Sequence, residues 1–344
     1  MELAELRLLP RAAVSAPPSA PAPAFERPAP KPVGLSLGPT NAGALSAAMP
    51  LPTTHPHLSI RATTLARRAY FGTPSLVTAL TNAAARIARD YPGSVLWAGD
   101  LSLEAGGAFA PHASHTNGRD ADLAFYVSEA GPDGLRPADG GAMQVVSADG
   151  RVGSKRFDVA RNWALVRALL EDPHISVQWV FVASHLRALL LDQARREDPE
   201  LAARAERVLA QPGDSSPHAD HFHVRIYCGL EERLEGCLDA PPFHPFADRH
   251  DAALTAWLEG LLPFLATPHL PETRDAIEHI VRMNATQAIP HLVALADRLA
   301  SPEVAARTPD GPELARLAGD ALAFLRGQRT PSAWKQWRAL DVGD

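Results

Sequence analysis

Two short stretches about a hundred residues apart, HASHTNGRDAD (His112 to Asp122) and HADHFHVR (His218 to Arg225), hold imidazoles and carboxylates at spacings a metal site needs. In the second, His221, Phe222, His223, Val224, Arg225, Ile226 and Tyr227 alternate polar and apolar residues with the period of two of a half-buried strand. His221, His223, Arg225 and Tyr227 then share one face, while Phe222, Val224 and Ile226 face a core. The two histidines would stand roughly 6.6 Å apart along the strand. A lone histidine on a strand is ordinarily a satisfied structural residue. Two on one face, with His218 just upstream of them beyond the turn-like run Gly213 to Pro217, point to shared chemistry.

In the first stretch His115 precedes Asp122 by seven residues, with the turn pair Asn117-Gly118 between them and a strand expected over Asp122 to Val127. A set made of His115, Asp122 and His223 leaves a fourth tetrahedral position for water, the arrangement of a hydrolytic zinc site. Asp120 competes with Asp122, because two residues of a strand spaced by two share a face and composition cannot choose between them. No His-Glu-x-x-His run occurs, so the helix-borne zinc site with a glutamate base is absent. Serine chemistry is not expected either: Ser332 to Lys335 has the form Ser-x-x-Lys but lacks its partner motifs.

The elements that must position these residues are partly visible. Helices are expected over Leu76 to Asp90, Arg161 to Leu170 and Leu186 to Arg196, with a strand over Val177 to Val182. Pro10 to Pro56 is rich in proline, alanine and serine and reads as an extended tether, its His55-Pro56-His57 a solvated loop. Beyond Pro245 the pattern is helical throughout. Leu314, Leu317, Ala321, Leu322 and Leu325 form one stripe between Pro312 and Gly327, while Ile277, Ile280 and Val281 with Leu292, Leu295 and Leu299 suggest an antiparallel pair broken near Pro290. Such helices suit HEAT-like repeats or a cap packed on the catalytic domain. The expectation is thus an α+β chain: a disordered tether over 1–58, an antiparallel-sheet zinc peptidase core over 59–240, and a small all-α region over 245–344.

A net charge of −6 without a basic block argues against nucleic acid and anionic membranes as partners. No apolar run is long enough to span a membrane. The chain's 2 cysteines, Cys228 and Cys237, are too few for a cysteine zinc site; they close a small loop in an oxidising compartment and stay thiols otherwise. No secretory signal is evident at the amino terminus, where Glu2 and Glu5 stand in place of basic residues.

The runs Tyr70-Phe71-Gly72, Gly99-Asp100, Gly106-Gly107, His112-Ala113-Ser114-His115, Gly118-x-Asp120-x-Asp122, Arg161-Asn162-Trp163 and His218-x-x-His221-x-His223-Val224-Arg225 carry a resemblance. In that order, from near Arg61 to Cys237, they resemble the penicillin-insensitive murein endopeptidases. That superfamily also holds lysostaphin-type peptidases, D-alanyl-D-alanine peptidases and the hedgehog amino-terminal domain. The resemblance implies zinc ligands at His115, Asp122 and His223, which decides for Asp122 over Asp120, and catalytic histidines at His218 and His221. It places His112 beside the site, orienting a ligand. Arg119 stands where such relatives tend to carry an apolar residue, which sets an expected difference at the cleft rim. The implied activity is hydrolysis of the D-alanyl to meso-diaminopimelyl cross-link of peptidoglycan, in the periplasm or otherwise outside the cytoplasm. The rivals are a D,D-carboxypeptidase or dipeptidase of the same superfamily and a zinc-bearing murein-binding module without turnover. A protein partner of the carboxy-terminal helices is not identified by sequence.

Overall fold

The computed structural model describes residues 34–327, apart from 133, 214, 267–269, 306, 308 and 309. Residues 1–33 of the expected tether, the tail beyond 327, and with it Ser332 and Lys335, lie outside the described residues. The first strands are β1 (Leu35–Leu37), β2 (Ala44–Ser46), β3 (Met49–Pro50) and β4 (Leu58–Ile60), followed by α1 (Ala62–Arg67), β5 (Phe71–Gly72), α2 (Pro74–Asp90) and β6 (Leu96–Ala98). The middle of the chain gives β7 (Asp120–Ala124), β8 (Val127–Gly131), β9 (Gly134–Ala138), β10 (Arg151–Val152), β11 (Lys155–Phe157), α3 (Val159–Glu171), β12 (Val177–Phe181), α4 (Ser184–Glu197), α5 (Pro199–Val208), β13 (Leu209–Ala210) and β14 (His221–Ile226). Helices α6 (Leu230–Leu234), α7 (Asp251–Ala266), α8 (Leu270–Arg282), α9 (Ile289–Ala300), α10 (Pro302–Ala305) and α11 (Gly311–Leu325) complete it.

The class is α+β. A six-stranded sheet in the order β13-β12-β14-β7-β6-β4 is antiparallel through its centre, but β12–β13 and β4–β6 pair in parallel at its two edges. Helix α2 starts where Thr73 caps the Leu76 amide ahead of Pro74, and α3 where Asp158 caps Arg161. Leu76, Leu80, Ala84 and Ile87 of α2 and Trp163, Val166 and Leu170 of α3 recur at helical spacing and are buried. They join Ala121 and Leu123 of β7 and Phe222, Val224 and Ile226 of β14 in one apolar core. That leaves the alternate residues of β7 and β14 for the other face.

Arg161 and Asn162, singled out by sequence, are clamps. Asn162 accepts from the Tyr126 amide at 2.9 Å and donates to its carbonyl at 2.7 Å, and Arg161 donates to the Val127 carbonyl at 2.5 Å. They satisfy the backbone where the chain leaves β7 for β8.

Two expectations change. Residues 35–58, read as tether, form β1 to β4 with Leu45, Leu51 and Leu58 buried. The proline-rich average of the longer window concealed these spaced leucines. Next, β7 starts at Asp120, two residues earlier than expected, because Gly118 at φ +74 turns the chain directly into the strand. The break expected near Pro290 lies between α8 and α9, with Pro290 in the first turn of α9, and α11 packs on both helices. The stripe from Leu314 to Leu325 is buried as expected.

The described residues belong to one compact unit. The helical region joins the core through α6, and Arg282 of α8 bonds Glu235 at 2.6 Å. Cys228 and Cys237 form a disulfide with Cα atoms 6.0 Å apart.

Arg119 is not at a cleft rim. It is buried beside the sheet, where it bonds Asp239 at 2.7 Å, the Leu238 carbonyl at 2.9 Å, the Ile226 carbonyl at 3.1 Å and Ser36 Oγ at 3.2 Å. A guanidinium with five fixed donors satisfies carbonyls an apolar residue would orphan. Arg119→Met should therefore destabilise the fold by about 3–5 kcal/mol in denaturant unfolding, since Asp239 loses its buried partner. Wild-type stability with an altered KM would return Arg119 to the rim.

Candidate active site

The site lies where β7 and β14 pair, with His223 opposite Asp122, Arg225 opposite Asp120 and His221 opposite Ala124. Side chains of directly paired residues stand on one face, so both aspartates and both histidines meet there. His115 arrives from the loop before β7 in a left-handed conformation, φ +66. The end of β6 comes close behind: a Cβ on Gly99 would stand 3.1 Å from that of Asp122, so a side chain there would crowd Asp122.

Asp120 organises the ligand set. Its Oδ2 accepts the His115 amide at 3.0 Å, and its Oδ1 accepts His223 Nε2–H at 3.0 Å and Arg225 Nε–H at 2.6 Å. Burial opposes its ionisation, yet Arg225 and His223 hold its carboxyl well below the usual range. Both of its oxygens thus already accept hydrogen bonds. Asp122 differs, for its Oδ1 is buried and accepts no hydrogen bond from a described residue.

Four imidazoles surround Asp122, each with one nitrogen committed to an acceptor. His115 Nδ1–H donates to the Leu101 carbonyl at 2.6 Å, His223 Nε2–H to Asp120, His221 Nδ1–H to Asp220 at 2.7 Å and His112 Nε2–H to Asp100 at 2.9 Å. Their other nitrogens approach the Asp122 carboxylate: His115 Nε2 at 3.3 Å, His223 Nδ1 at 3.4 Å, His221 Nε2 at 3.5 Å and, to the second oxygen, His112 Nδ1 at 4.0 Å. Imidazole lone pairs aimed at a buried carboxylate repel it unless positive charge lies between them. In a protein without metal a proton supplies that charge. Burial pulls the His115 imidazole down, but Asp122 more than compensates and lifts it to about 9, and burial of Asp122 is outweighed by the histidines, which lower its carboxyl.

The spacing also fits a metal. His115 Nε2 and His223 Nδ1 are 3.3 Å apart, so with Asp122 Oδ1 they form a triangle of edges 3.3, 3.3 and 3.4 Å. Tetrahedral ligands at about 2.0–2.1 Å from zinc lie about 3.3–3.4 Å from one another. A second combination, His112, His115 and Asp122, also brings donor atoms within 4.8 Å of one another. The His223 triangle is tighter and its side chains are buried, whereas the second has its 4.0 Å approach from His112. His112 thus stands beside the site, with its ring centroid 4.2 Å from that of His115.

His218 sits further out, its ring 5.3 Å from His221 and 5.8 Å from His223. Burial and the neighbouring His221 and His223 lower it to about 4, so it is uncharged at neutral pH. Its Nδ1 is buried and bonded to no described residue. His221 moves the other way: burial opposes its charge, but Asp220 and Asp122 raise it. The chain also carries a Gly-x-Ser-x-Gly run, Gly34 to Gly38, but its Ser36 is buried in β1 against Arg119, with no histidine among the described residues bonded to it.

With this geometry in view, comparison with known proteins is decisive. The sequence profile of a family described as "Penicillin-insensitive murein endopeptidase" matches residues 36–288. The chain belongs to that family. Proteins named penicillin-insensitive murein endopeptidase from Shigella sonnei (strain Ss046) and Escherichia coli (strain K12) are each 28% identical to it over 258 residues, covering 72% of this chain and 87% of theirs. One from Escherichia coli (strain SE11) is 29% identical over the same length. The family match starts before residue 59 and runs beyond 245, so it spans the early strands and helices α7 and α8 as well as the sheet.

Motif spacing singled out the histidines and the two aspartates as candidates, but not the groups that support them. Asp220 precedes a strand whose alternation turns neighbours apart, and it reaches His221 because it lies just before β14 starts. Asp100 holds His112 and is itself tied by Thr64 at 2.7 Å and by Arg67; its only sequence signal was the Gly99-Asp100 pair. The Leu101 carbonyl has no side-chain signature at all. Because Asp120 fixes the His223 tautomer and the His115 backbone together, Asp120→Asn should weaken divalent-metal affinity about 10–100-fold in chelator competition. Unchanged affinity would make Asp120 a bystander.

Proposed function

We propose that this member of the family is a zinc-dependent endopeptidase that hydrolyses the D-alanyl to meso-diaminopimelyl cross-links of peptidoglycan outside the cytoplasm. The observation that carries it is the triangle of His115, Asp122 and His223 with both imidazoles pinned from behind. Metal-binding histidines depend on such partners for tautomer and basicity. The names of the relatives supply the substrate class. Among the described residues no helix is long and apolar enough to cross a membrane.

His115 Nε2, Asp122 Oδ1 and His223 Nδ1 would hold the zinc. When bound it would lower the pKa of water to about 7 and polarise the scissile carbonyl. His221, its Nδ1–H held by Asp220, presents Nε2 to the site. It takes the proton of the attacking water and returns it to the leaving amine. His218, uncharged and one ring further out, offers an N–H to the developing oxyanion. Buried Phe125 and Phe222, with centroids 4.7 Å apart, back the sheet from the core side and hold β7 and β14 together.

Purified protein should contain one zinc per chain. His223→Ala should lose metal and activity together, while His221→Ala and His218→Ala keep most of the metal and lose on the order of 10²-fold or more in turnover. Elemental analysis alongside kinetics checks both, and near-normal turnover of the two latter variants would move the chemistry elsewhere.

The enzyme should convert D,D-cross-linked muropeptide dimers to monomers with β-lactam present, since no serine is acylated, and stop on chelation. Mass spectrometry of the products reads the outcome. Release of terminal D-alanine alone, with dimers intact, would identify a D,D-carboxypeptidase. Zinc-loaded protein that binds murein without cleaving it would be a binding module.

A further inference from the structure

The sheet face that carries the histidines continues beyond them onto β12. Phe181 is paired with His223 and Trp179 with Arg225, so their side chains stand on the site face while Val180 and Val224 point into the core. The ring contacts agree. Phe181 lies 5.3 Å from His223 and 5.7 Å from His218, and Trp179 stacks on Phe181 at 5.3 Å with planes 29° apart. Trp179 meets His244 edge-on at 5.8 Å on its far side. Both Trp179 and Phe181 remain partly exposed, although each would gain from full burial.

Arg225 closes the strip. Among the described residues its guanidinium bonds only through Nε, to Asp120, and its side chain is 18% exposed. Both terminal nitrogens are therefore uncommitted, next to an aromatic platform and one strand pair along from the proposed ligand His223. A planar fork of N–H donors matches a carboxylate. From His223 to Arg225 the strand advances roughly 6.6 Å, about two residues of an extended peptide.

We infer that Arg225, Trp179 and Phe181 form a substrate subsite that holds a carboxylate-bearing, aliphatic arm of the murein stem peptide, the carboxylate on Arg225 and the methylenes on the aromatic rings. The occupant rests on the peptidase reading above; the strip itself does not. A purely structural Arg225, present only to neutralise Asp120, would show itself in metal content and in turnover, without regard to the substrate's carboxylates.

The test uses zinc-loaded full-length protein and cross-linked muropeptide dimers whose diaminopimelyl carboxylates are either free or amidated. Trp179→Ala should raise KM about tenfold with kcat nearly unchanged, and Trp179→Phe should recover most of the loss. Compared at equal zinc loading, because the bond to Asp120 is lost as well, Arg225→Gln should raise KM about tenfold or more on the free acid and little on the amide. Titration calorimetry with the uncross-linked stem tetrapeptide measures the same dependence without turnover. If wild-type protein cleaves dimers and both variants match it, or if Arg225→Gln loses equally on both substrates, the subsite is overturned and the peptidase reading stands. If nothing is cleaved but tetrapeptide binding still falls with both variants, the peptidase reading fails and the subsite remains.

Discussion

The pairing register of β7 with β14 sets His223 against Asp122 and Arg225 against Asp120, and the chemistry of the site follows from those two cross-strand pairs. Side chains alternate with period two, so a slip of β14 by one residue would turn His223 and Arg225 toward the core and bring Phe222 and Val224 to the cleft. The apolar residues thus enforce the register from one face, and the charged ones exploit it on the other. Burial on the core face is what makes the slip costly, since each large apolar side chain returned to water loses about 1.5–3 kcal/mol.

Once the register is fixed, the difference between Asp120 and Asp122 is one of partners. Both are buried on the same face of the same strand. Both oxygens of Asp120 are bonded, by an amide, an imidazole and a guanidinium, whereas Asp122 Oδ1 is bonded to no described residue and lies among imidazoles whose remaining hydrogens point away. A buried charge is tolerated when it is paired and hydrogen-bonded. Asp120 meets that condition within the protein, and Asp122 meets it only with a cation between itself and the histidines. Two residues apart in sequence, they do opposite work.

This explains which parts of the molecule could be read from sequence. Strand alternation exposed β14, and motif spacing put His115, His223 and the two aspartates among the candidates, because both are periodic or local signals. Alternation could not separate Asp120 from Asp122, since the distinction lies in bonds to Arg225 and the His115 backbone, which are long-range. Helices α2, α3 and α4 were evident because their apolar stripes run for several turns. The strands between 35 and 58 were not, because two or three residues carry no period, and their stability comes from contacts with segments up to two hundred residues away. Gly38, for instance, donates its amide to the Gly236 carbonyl at 2.9 Å.

Those same early strands reach the loop that carries His115. Asn117 donates to the Gly38 carbonyl at 3.1 Å, and the Thr116 amide and hydroxyl bond the Thr40 carbonyl at 3.2 and 3.0 Å. Arg119, three residues further on, ties β1 and the end of β14 to Asp239, which also accepts the amide of Cys228 in the disulfide at 3.0 Å. His115 holds a left-handed backbone, a conformation that persists in a non-glycine residue when its surroundings over-determine it. Here they do: Asp120 fixes its amide, the Leu101 carbonyl its ring, and the braces from residues 38–40 the turn that follows. The match of the family from residue 36 onward is then a physical requirement of the site, because without β1 and the chain after it the loop that delivers His115 would lose the contacts that hold its next two residues in place.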